Sequence, residues 1–486
     1  MASDSGILRD PRTWIACAVI LFLSAVPYLP GISNGPVLDD DRVAWGHPAV
    51  NGAAEDGLWN HAYLEDEAGA PWRPLATLSL RVNYVLRGVD REAYFLTNVA
   101  LRSIGGGLLF LILALSLGRL LPAFLWGLLA AIHPAASEAV FRLAGRAELL
   151  GLIFFALGFL AYIWDRGRPF DPVFGRRFHP GAAVVLWGSY ALALLSYEGA
   201  WILLPLLLTG ELLRVHTGRG AWERSIAGRL APMAVILTIW LIVREGIGLS
   251  AVGSQVGGVV AWLDPQPKAV AGLAVPWIAM RLFFVPLQLS TNYVHLLTPA
   301  GELHPLHAAL GGVAALVLIG TFVLAWRRRW FFVGLGVAWV IWAALPLAAT
   351  FREYGPLVDE MQLLLPVAGL VLTLAALVNR WGSIHSARVA EAVILPVLIV
   401  LCGWQTASRA AHFRSPGAQL ASLLRAHPEN AYAHFQRGND FLAVQRFAEA
   451  EASYRRALDE LEIDPRIWLN LGVVYHAQEH YGRAVR

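Results

Sequence analysis

Lysine is nearly missing from this chain. Lys268 is the single lysine among 38 basic residues, and arginine supplies the rest. Charge of either sign is scarce: Asp, Glu, Lys and Arg make up 15% of 486 residues, against about 25% in soluble domains. A net charge of +3 is too small to attract nucleic acid, so no nucleic-acid partner is expected. Cysteine is limited to Cys17 and Cys402, both inside apolar runs, which excludes a disulfide framework and a thiolate metal centre. No His/Cys cluster has metal-ligand spacing, no Gly-rich loop follows a strand, and no Ser/His/Asp set is recognisable. The metal expectation is none. The N-terminal apolar run Trp14–Tyr28 lacks a small-residue cleavage site and reads as a first span.

What is abundant is apolar length. With 57% hydrophobic residues and a mean hydropathy of +0.54, the chain clusters its apolar residues into runs long enough to cross a hydrocarbon core of roughly 30 Å. The fold class this predicts is an all-α polytopic membrane protein with about eleven transmembrane helices. They fall near 13–30, 95–117, 120–136, 147–164, 182–196, 198–214, 230–249, 305–326, 331–349, 361–379 and 389–406. Arginine-rich loops set the cytoplasmic side: Arg166, Arg168, Arg176 and Arg177, then Arg214, Arg219, Arg224 and Arg229, then Arg327–Arg329, then Arg380 and Arg388. For this to hold, the apolar stretch 271–289 must lie along or dip into the membrane, interrupted by Pro276 and Pro286. The acidic loop 31–94, the 133–148 loop, the 250–304 loop and the C-terminus then share the outer face. The arginine bias suggests a GC-rich bacterial genome, and hence an inner membrane with that face toward the periplasm or exterior.

Two segments break the apolar pattern. Loop 31–94 opens on Asp39-Asp40-Asp41-Arg42. Residues 408–486 are polar and repeat: Gly438, Phe441, Phe447 and Ala450 recur as Gly472, Tyr475, Tyr481 and Ala484. That spacing is the period of the tetratricopeptide (TPR) helical hairpin, with the second repeat cut short. The chain thus divides into a membrane module over 1–407 and repeats over 408–486 that engage protein partners.

The site candidates sit at predicted outer helix ends. Transfer to a hydroxyl needs a carboxylate base, for which Asp39, Asp40 and Asp41 stand available. A departing lipid phosphate needs planar cationic forks, and Arg73, Arg146, Arg244 and Arg281 qualify. His133, Glu138, Glu148 and Glu198 are placed to orient them. Each also has a plain structural reading. A carboxylate run after a span often caps a helix, His-Pro often ends one, Arg102 within a span can snorkel, and Gly105-Gly106-Gly107 reads as close helix packing.

Several segments together resemble the transmembrane and TPR repeat-containing O-mannosyltransferases of the GT-C glycosyltransferase superfamily. They are the first-loop Asp pair, Trp72-Arg73-Pro74-Leu75, Leu78-Ser79-Leu80-Arg81-Val82-Asn83-Tyr84, Asn98, His133-Pro134 with Glu138, Gly145-Arg146-Ala147-Glu148, and Pro286-Leu287. The resemblance implies a polyprenyl-phosphate sugar donor, usually mannose, and inverting transfer to a hydroxyl of a protein or glycan acceptor. It implies a first-loop Asp as base; Asp40 belongs to the pair in either register. The sequence departs from the family at Tyr197, where Lys is common before Glu198, at Met361 after Glu360, and at Asn292 before Tyr293. Those departures keep open a second reading as an inactive membrane scaffold; a transporter is a third.

Overall fold

The computed structural model describes residues 5–38, 40–53, 61, 63, 71–167, 180–216, 224–246, 265–287, 289–300, 303–350, 360–381, 389–462 and 464–484. Among them helices dominate and no strand ladder forms; one isolated bridge joins Leu297 and Leu303. The membrane part runs through α1 (Pro11–Ala25), α2 (Pro74–Arg87), α3 (Arg91–Leu117), α4 (Leu120–Ile132), α5 (Arg146–Gly167), α6 (Pro180–Ser196), α7 (Leu203–His216) and α8 (Arg224–Gly246). It continues with α9 (Pro265–Phe284), α10 (Pro305–Arg327), α11 (Phe331–Thr350), α12 (Leu364–Arg380) and α13 (Leu395–Arg409). The tail adds α14 (Pro416–Ala426), α15 (Ala431–Ala443), α16 (Phe447–Glu460), α17 (Pro465–Ala477) and α18 (Tyr481–Ala484).

Local chemistry sets the boundaries. Asp10 caps α1 by accepting from Arg12 N at 2.9 Å with Pro11 in the first turn, and Asp90 caps α3 through Ala93 N. Gly118, at φ +70, ends α3 in the left-handed region. A helix is present at each of the eleven predicted spans. Seven helical stretches among the described residues are long and apolar enough to cross a membrane. The predicted spans 120–136, 182–196, 230–249 and 331–349 are not among those seven. The 120–136 prediction overshoots: α4 stops at Ile132 because a residue before proline is pushed out of helical backbone, and His133 sits at ψ 126.

Segment 271–289 also needs correction. α9 continues through Pro276 to Phe284, so that proline does not interrupt it. Val275, Ile278, Ala279 and Leu282 are buried, and the helix packs along α10 and α11. Burial of that stripe outweighs the one backbone bond that proline removes.

The core forms where helices come close. In α3, a Cβ on Gly105 would meet Leu152 of α5 at 3.0 Å, on Gly106 Ala131 of α4 at 2.6 Å, and on Gly107 Cys17 of α1 at 3.2 Å. Each glycine therefore serves a different neighbour. Trp339 of α11, fully buried, packs its ring on Phe155 and Phe159 of α5 at 5.0 and 4.9 Å.

The tail folds as helical hairpins. A side chain at Gly438 of α15 would run into the ring of Tyr454 on α16, whose hydroxyl donates to Asn439 Oδ1 at 2.8 Å. Ala450, Ala457, Ile467 and Leu471 complete that core. The hairpins are tied to the bundle: Asn430 Nδ2 donates to Asn292 O at 3.2 Å, and Glu462 N to Pro299 O at 3.1 Å. The first loop joins the same end, because Gly35 N donates to Arg414 O at 3.0 Å and Asn34 Nδ2 to Ala410 O at 2.7 Å.

Candidate active site

The polar side chains gathered at this end form three adjoining clusters. The first is centred on Asp40, which is fully buried. Leu38, two residues earlier, stands at φ +50, a left-handed conformation that costs a leucine about 1–2 kcal/mol. Asp40 Oδ2 accepts from Val37 N at 3.1 Å, and Oδ1 accepts from Leu143 N at 2.6 Å and Ala144 N at 3.3 Å. Burial pushes its carboxyl up to about 6, against the opposing pull of Arg142, the backbone amides and Arg91. Asp41 is exposed and accepts from Arg42 N at 3.0 Å. Asp39 lies outside the described residues.

The second cluster surrounds Arg73. Its Nε and Nη2 hold both oxygens of Glu198 at 2.9 and 2.7 Å, and Nη1 lies 3.1 Å from Glu148 Oε1. The guanidinium sits 5.3 Å from the ring centres of both Tyr63 and Tyr197. Burial alone would weaken the charge on Arg73, but Glu198 and Glu148 outweigh it and hold its pKa well above the usual arginine value. Tyr63 OH donates to Ala144 O at 3.0 Å, which links this cluster to the turn that Asp40 grips. Burial, and then the Glu148 charge, raise the Tyr63 pKa far beyond the ordinary phenol. Tyr197, standing where lysine is common in the resembling family, thus supplies one ring face to Arg73.

Arg146 is also fully buried, and among the described residues its hydrogen-bond partners are neutral: Asn98 Oδ1 at 2.5 Å, Ser79 Oγ at 2.9 Å, Asn83 Oδ1 at 2.8 Å and Tyr94 O at 3.0 Å. It thereby fastens α2 and α3 to the start of α5. Glu138 pairs with Arg142 at 3.2 Å along one short helical turn. Arg102, inside α3, donates to Ala131 O and Ala130 O at 2.9 and 2.5 Å, and so caps the last carbonyls of α4.

His133 is locked in one tautomer. Its Nδ1 accepts from Ala135 N at 3.3 Å, so Nε2 carries the proton given to Phe283 O at 3.0 Å. Its ring stacks on that of Phe283 at 4.8 Å, and burial pushes its pKa down to about 4.

The third cluster was not singled out from the sequence. Glu360 Oε1 accepts from Ser290 N at 2.7 Å and Tyr293 OH at 2.5 Å, while Oε2 lies 2.7 Å from Arg409 Nη2. Arg409 Nη1 in turn donates to Pro134 O at 2.7 Å and Ser137 Oγ at 2.9 Å. Arg409 thus supplies the cation that Glu360 faces. The available signal was an arginine directly after the last apolar run.

The remaining candidates stand elsewhere. Arg244 is half-buried over the Trp240 ring at 5.5 Å, and its charge reaches Glu198. Arg281 stands beside His295 and His307. Among the described residues no three His, Cys, Asp or Glu side chains are disposed to hold a metal ion.

Helices of membrane-crossing length, with these three polar clusters gathered at one end, define an integral membrane protein. No protein-family profile matches the chain. Its relatives by sequence are protein O-mannosyl-transferases. It is 24% identical over 464 residues to one from Caenorhabditis elegans, covering 92% of this chain and 62% of the relative. It is 33% identical over 160 residues to Tmtc1 of Drosophila melanogaster, covering 32% of this chain and 18% of that protein. The chain therefore spans less than two thirds of these relatives. By structure it is similar to an Archaeoglobus fulgidus oligosaccharyltransferase tethered with an acceptor peptide, at 13% identity and TM-score 0.45, over 93% of this chain and 59% of that one. It is also similar to ArnT from Cupriavidus metallidurans bound to undecaprenyl phosphate, at 14% identity and TM-score 0.40, over 98% and 79% of the two chains.

Proposed function

We propose that this chain is a GT-C-type glycosyltransferase that moves a sugar, mannose by its resemblance, from a polyprenyl-phosphate donor to a hydroxyl of a protein or glycan acceptor. The observation that carries this reading is the match along 92% of the chain to a protein named an O-mannosyl-transferase. The site faces the outer side of the membrane, a bacterial inner membrane by the arginine-rich composition. The helical hairpins of the tail, read as TPR units, engage the acceptor.

In this reading Asp40 is the general base. A carboxylate offers about four acceptor positions, and three are filled by backbone amides, which leaves one for an acceptor hydroxyl. The acceptor oxygen bonds to the anomeric carbon as its proton passes to Asp40. The bond from that carbon to the phosphate oxygen breaks, its electron pair leaves with the lipid phosphate, and configuration inverts. Arg73, matched by two carboxylates, orients Glu148 and Glu198 rather than offering a net positive charge. Arg146 holds α2 in place. The phosphate then falls to Arg244, which carries no hydrogen bond to a carboxylate among the described residues.

The test is sugar transfer by the purified protein in detergent, with polyprenyl-phosphate-mannose and a panel of acceptors, alongside Asp40→Asn. Transfer by the parent and none by the variant supports the enzyme and its base together. Transfer surviving in Asp40→Asn moves the base to Asp39 or Asp41. No transfer with any donor, from folded protein, favours the scaffold.

A further inference from the structure

Arg91 stands where a positive charge is poorly tolerated. It opens α3, at the end of a helix that favours negative charge, and it is 8% exposed. Its Nη2 donates to Phe141 O at 3.2 Å and its Nη1 to Gly31 O at 3.5 Å, both neutral carbonyls. Its Nε is buried and makes no hydrogen bond among the described residues. Hydrogen bonding alone does not account for a guanidinium at this place.

The account lies with Asp40, because the two residues clasp the same pair of segments with opposite chemistry. Asp40 accepts from amides: Val37 N in the first loop, then Leu143 N and Ala144 N just after the short helix Glu138–Phe141. Arg91 donates to a carbonyl upstream of each, Gly31 O and Phe141 O. Two guanidinium charges pull on Asp40, that of Arg142 first and that of Arg91 less strongly. Arg142 is paired with Glu138 at 3.2 Å, which leaves Arg91 as the balancing charge. The other titratable groups around Asp40 are Tyr63, which its charge reaches, and the exposed Asp41 and Arg42 next in the chain. Glu148, Arg73 and Arg146 act on Tyr63 in turn.

We propose that Arg91 is a positioning residue for Asp40: it ties together the two segments that grip the carboxylate and supplies the positive charge that balances it. The proposal rests on Asp40 as the base of the transfer. Burial already raises the Asp40 carboxyl to about 6. Removing the Arg91 charge takes away part of the opposing pull, so the carboxyl rises further and the base is ionised only at higher pH.

The experiment uses the full chain in detergent, as the parent, Arg91→Gln and Arg91→Lys, with two readouts. One is the pH dependence of sugar transfer. The other is the carboxyl infrared band that Asp40→Asn removes, titrated from about pH 4 to about pH 9. The expected result is a midpoint about one unit higher in Arg91→Gln by both readouts, so that the rate at pH 5, taken as a fraction of the plateau, falls about tenfold. Arg91→Lys keeps the charge, and its midpoint should stay within about half a unit of the parent's. A merely structural role would lower the plateau and leave the Arg91→Gln midpoint where it was, which overturns the proposal. So does a shift in Arg91→Lys as large as that in Arg91→Gln. Arg91→Met is made alongside, so that a glutamine variant that fails to fold leaves another uncharged side chain to decide, and Arg91→Lys decides if neither folds. The infrared band reports on Asp40 without turnover. A band that shifts in a protein that transfers no sugar keeps the Arg91 role and removes the transferase reading, whereas transfer with an unmoved midpoint does the reverse.

Discussion

Arg409 Nη2 lies 2.7 Å from Glu360 Oε2, with 4% and 0% of the two side chains exposed, and this pair joins the last helix of the bundle to the start of α12. Removing one member of such a pair leaves the other charge buried without its match. Glu360→Ala is expected to destabilise the protein by about 3–5 kcal/mol. Thermal unfolding in detergent checks this, and Arg409→Ala combined with Glu360→Ala should cost less than the two single losses added together.

Arg73 holds Glu198 through two parallel bonds, a geometry that a lysine ammonium cannot reproduce. Arg73→Lys keeps the charge and loses the fork. The expected loss is on the order of 1–3 kcal/mol of site integrity. Transfer should fall about tenfold or more while helicity by circular dichroism is retained.

Asp40 titrates at about 6 in the folded protein against 3.8 for an ordinary aspartate. A carboxyl whose pKa is raised by folding favours the folded state while it is protonated. That contribution is present below about pH 4 and is lost as pH rises through about 6. Activity runs the other way, since the base must be ionised. The transfer rate should climb with an inflection near pH 6 and level off above it. A rate that is flat between pH 5 and 7 would remove Asp40 from the base role.

Asn430 caps α15 through Ala433 N at 2.9 Å and also donates to Asn292 O. Asn430→Ala loses both bonds at a cost of about 1–2 kcal/mol. Hydrogen exchange should quicken over 431–443 and 292–297 together, while α3 and α5 keep their protection.

At Gly438 a methyl group would be forced into the Tyr454 ring. Gly438→Ala is expected to cost about 1–3 kcal/mol in the tail hairpin alone. Limited proteolysis should cut within 431–460 sooner, with the membrane part unaffected.

Patterns that repeat or run long were readable before folding. Apolar runs located a helix at each predicted span, and the three consecutive glycines of α3 announced close neighbours without saying which. The 34-residue recurrence included Gly438, and the structure sets the Tyr454 ring against it. Proline was an uneven guide. Pro134 ended α4 as local sterics require, whereas Pro276 sat inside a helix whose buried stripe outweighed one lost bond. Tyr63 carried no signal at all, since its role comes from a hydrogen bond to Ala144 and a ring face toward Arg73. Arg409 looked like the first residue of a polar tail, because only tertiary contact reveals that Glu360 awaits it.

The latch between the two ends of the membrane module bears on how the protein is made. Gly35 and Asn34 bond to Arg414 and Ala410, and Arg409 supplies the charge that Glu360 faces. A ribosome delivers the acidic loop early and Arg409 late. While the intervening helices insert, Glu360 and the 133–137 turn stay without their closing partner. The Glu360 cluster is therefore completed only after α13 has been made, so a nascent chain stalled before that point lacks one of the three clusters while the partners of Asp40 and Arg73 are already present.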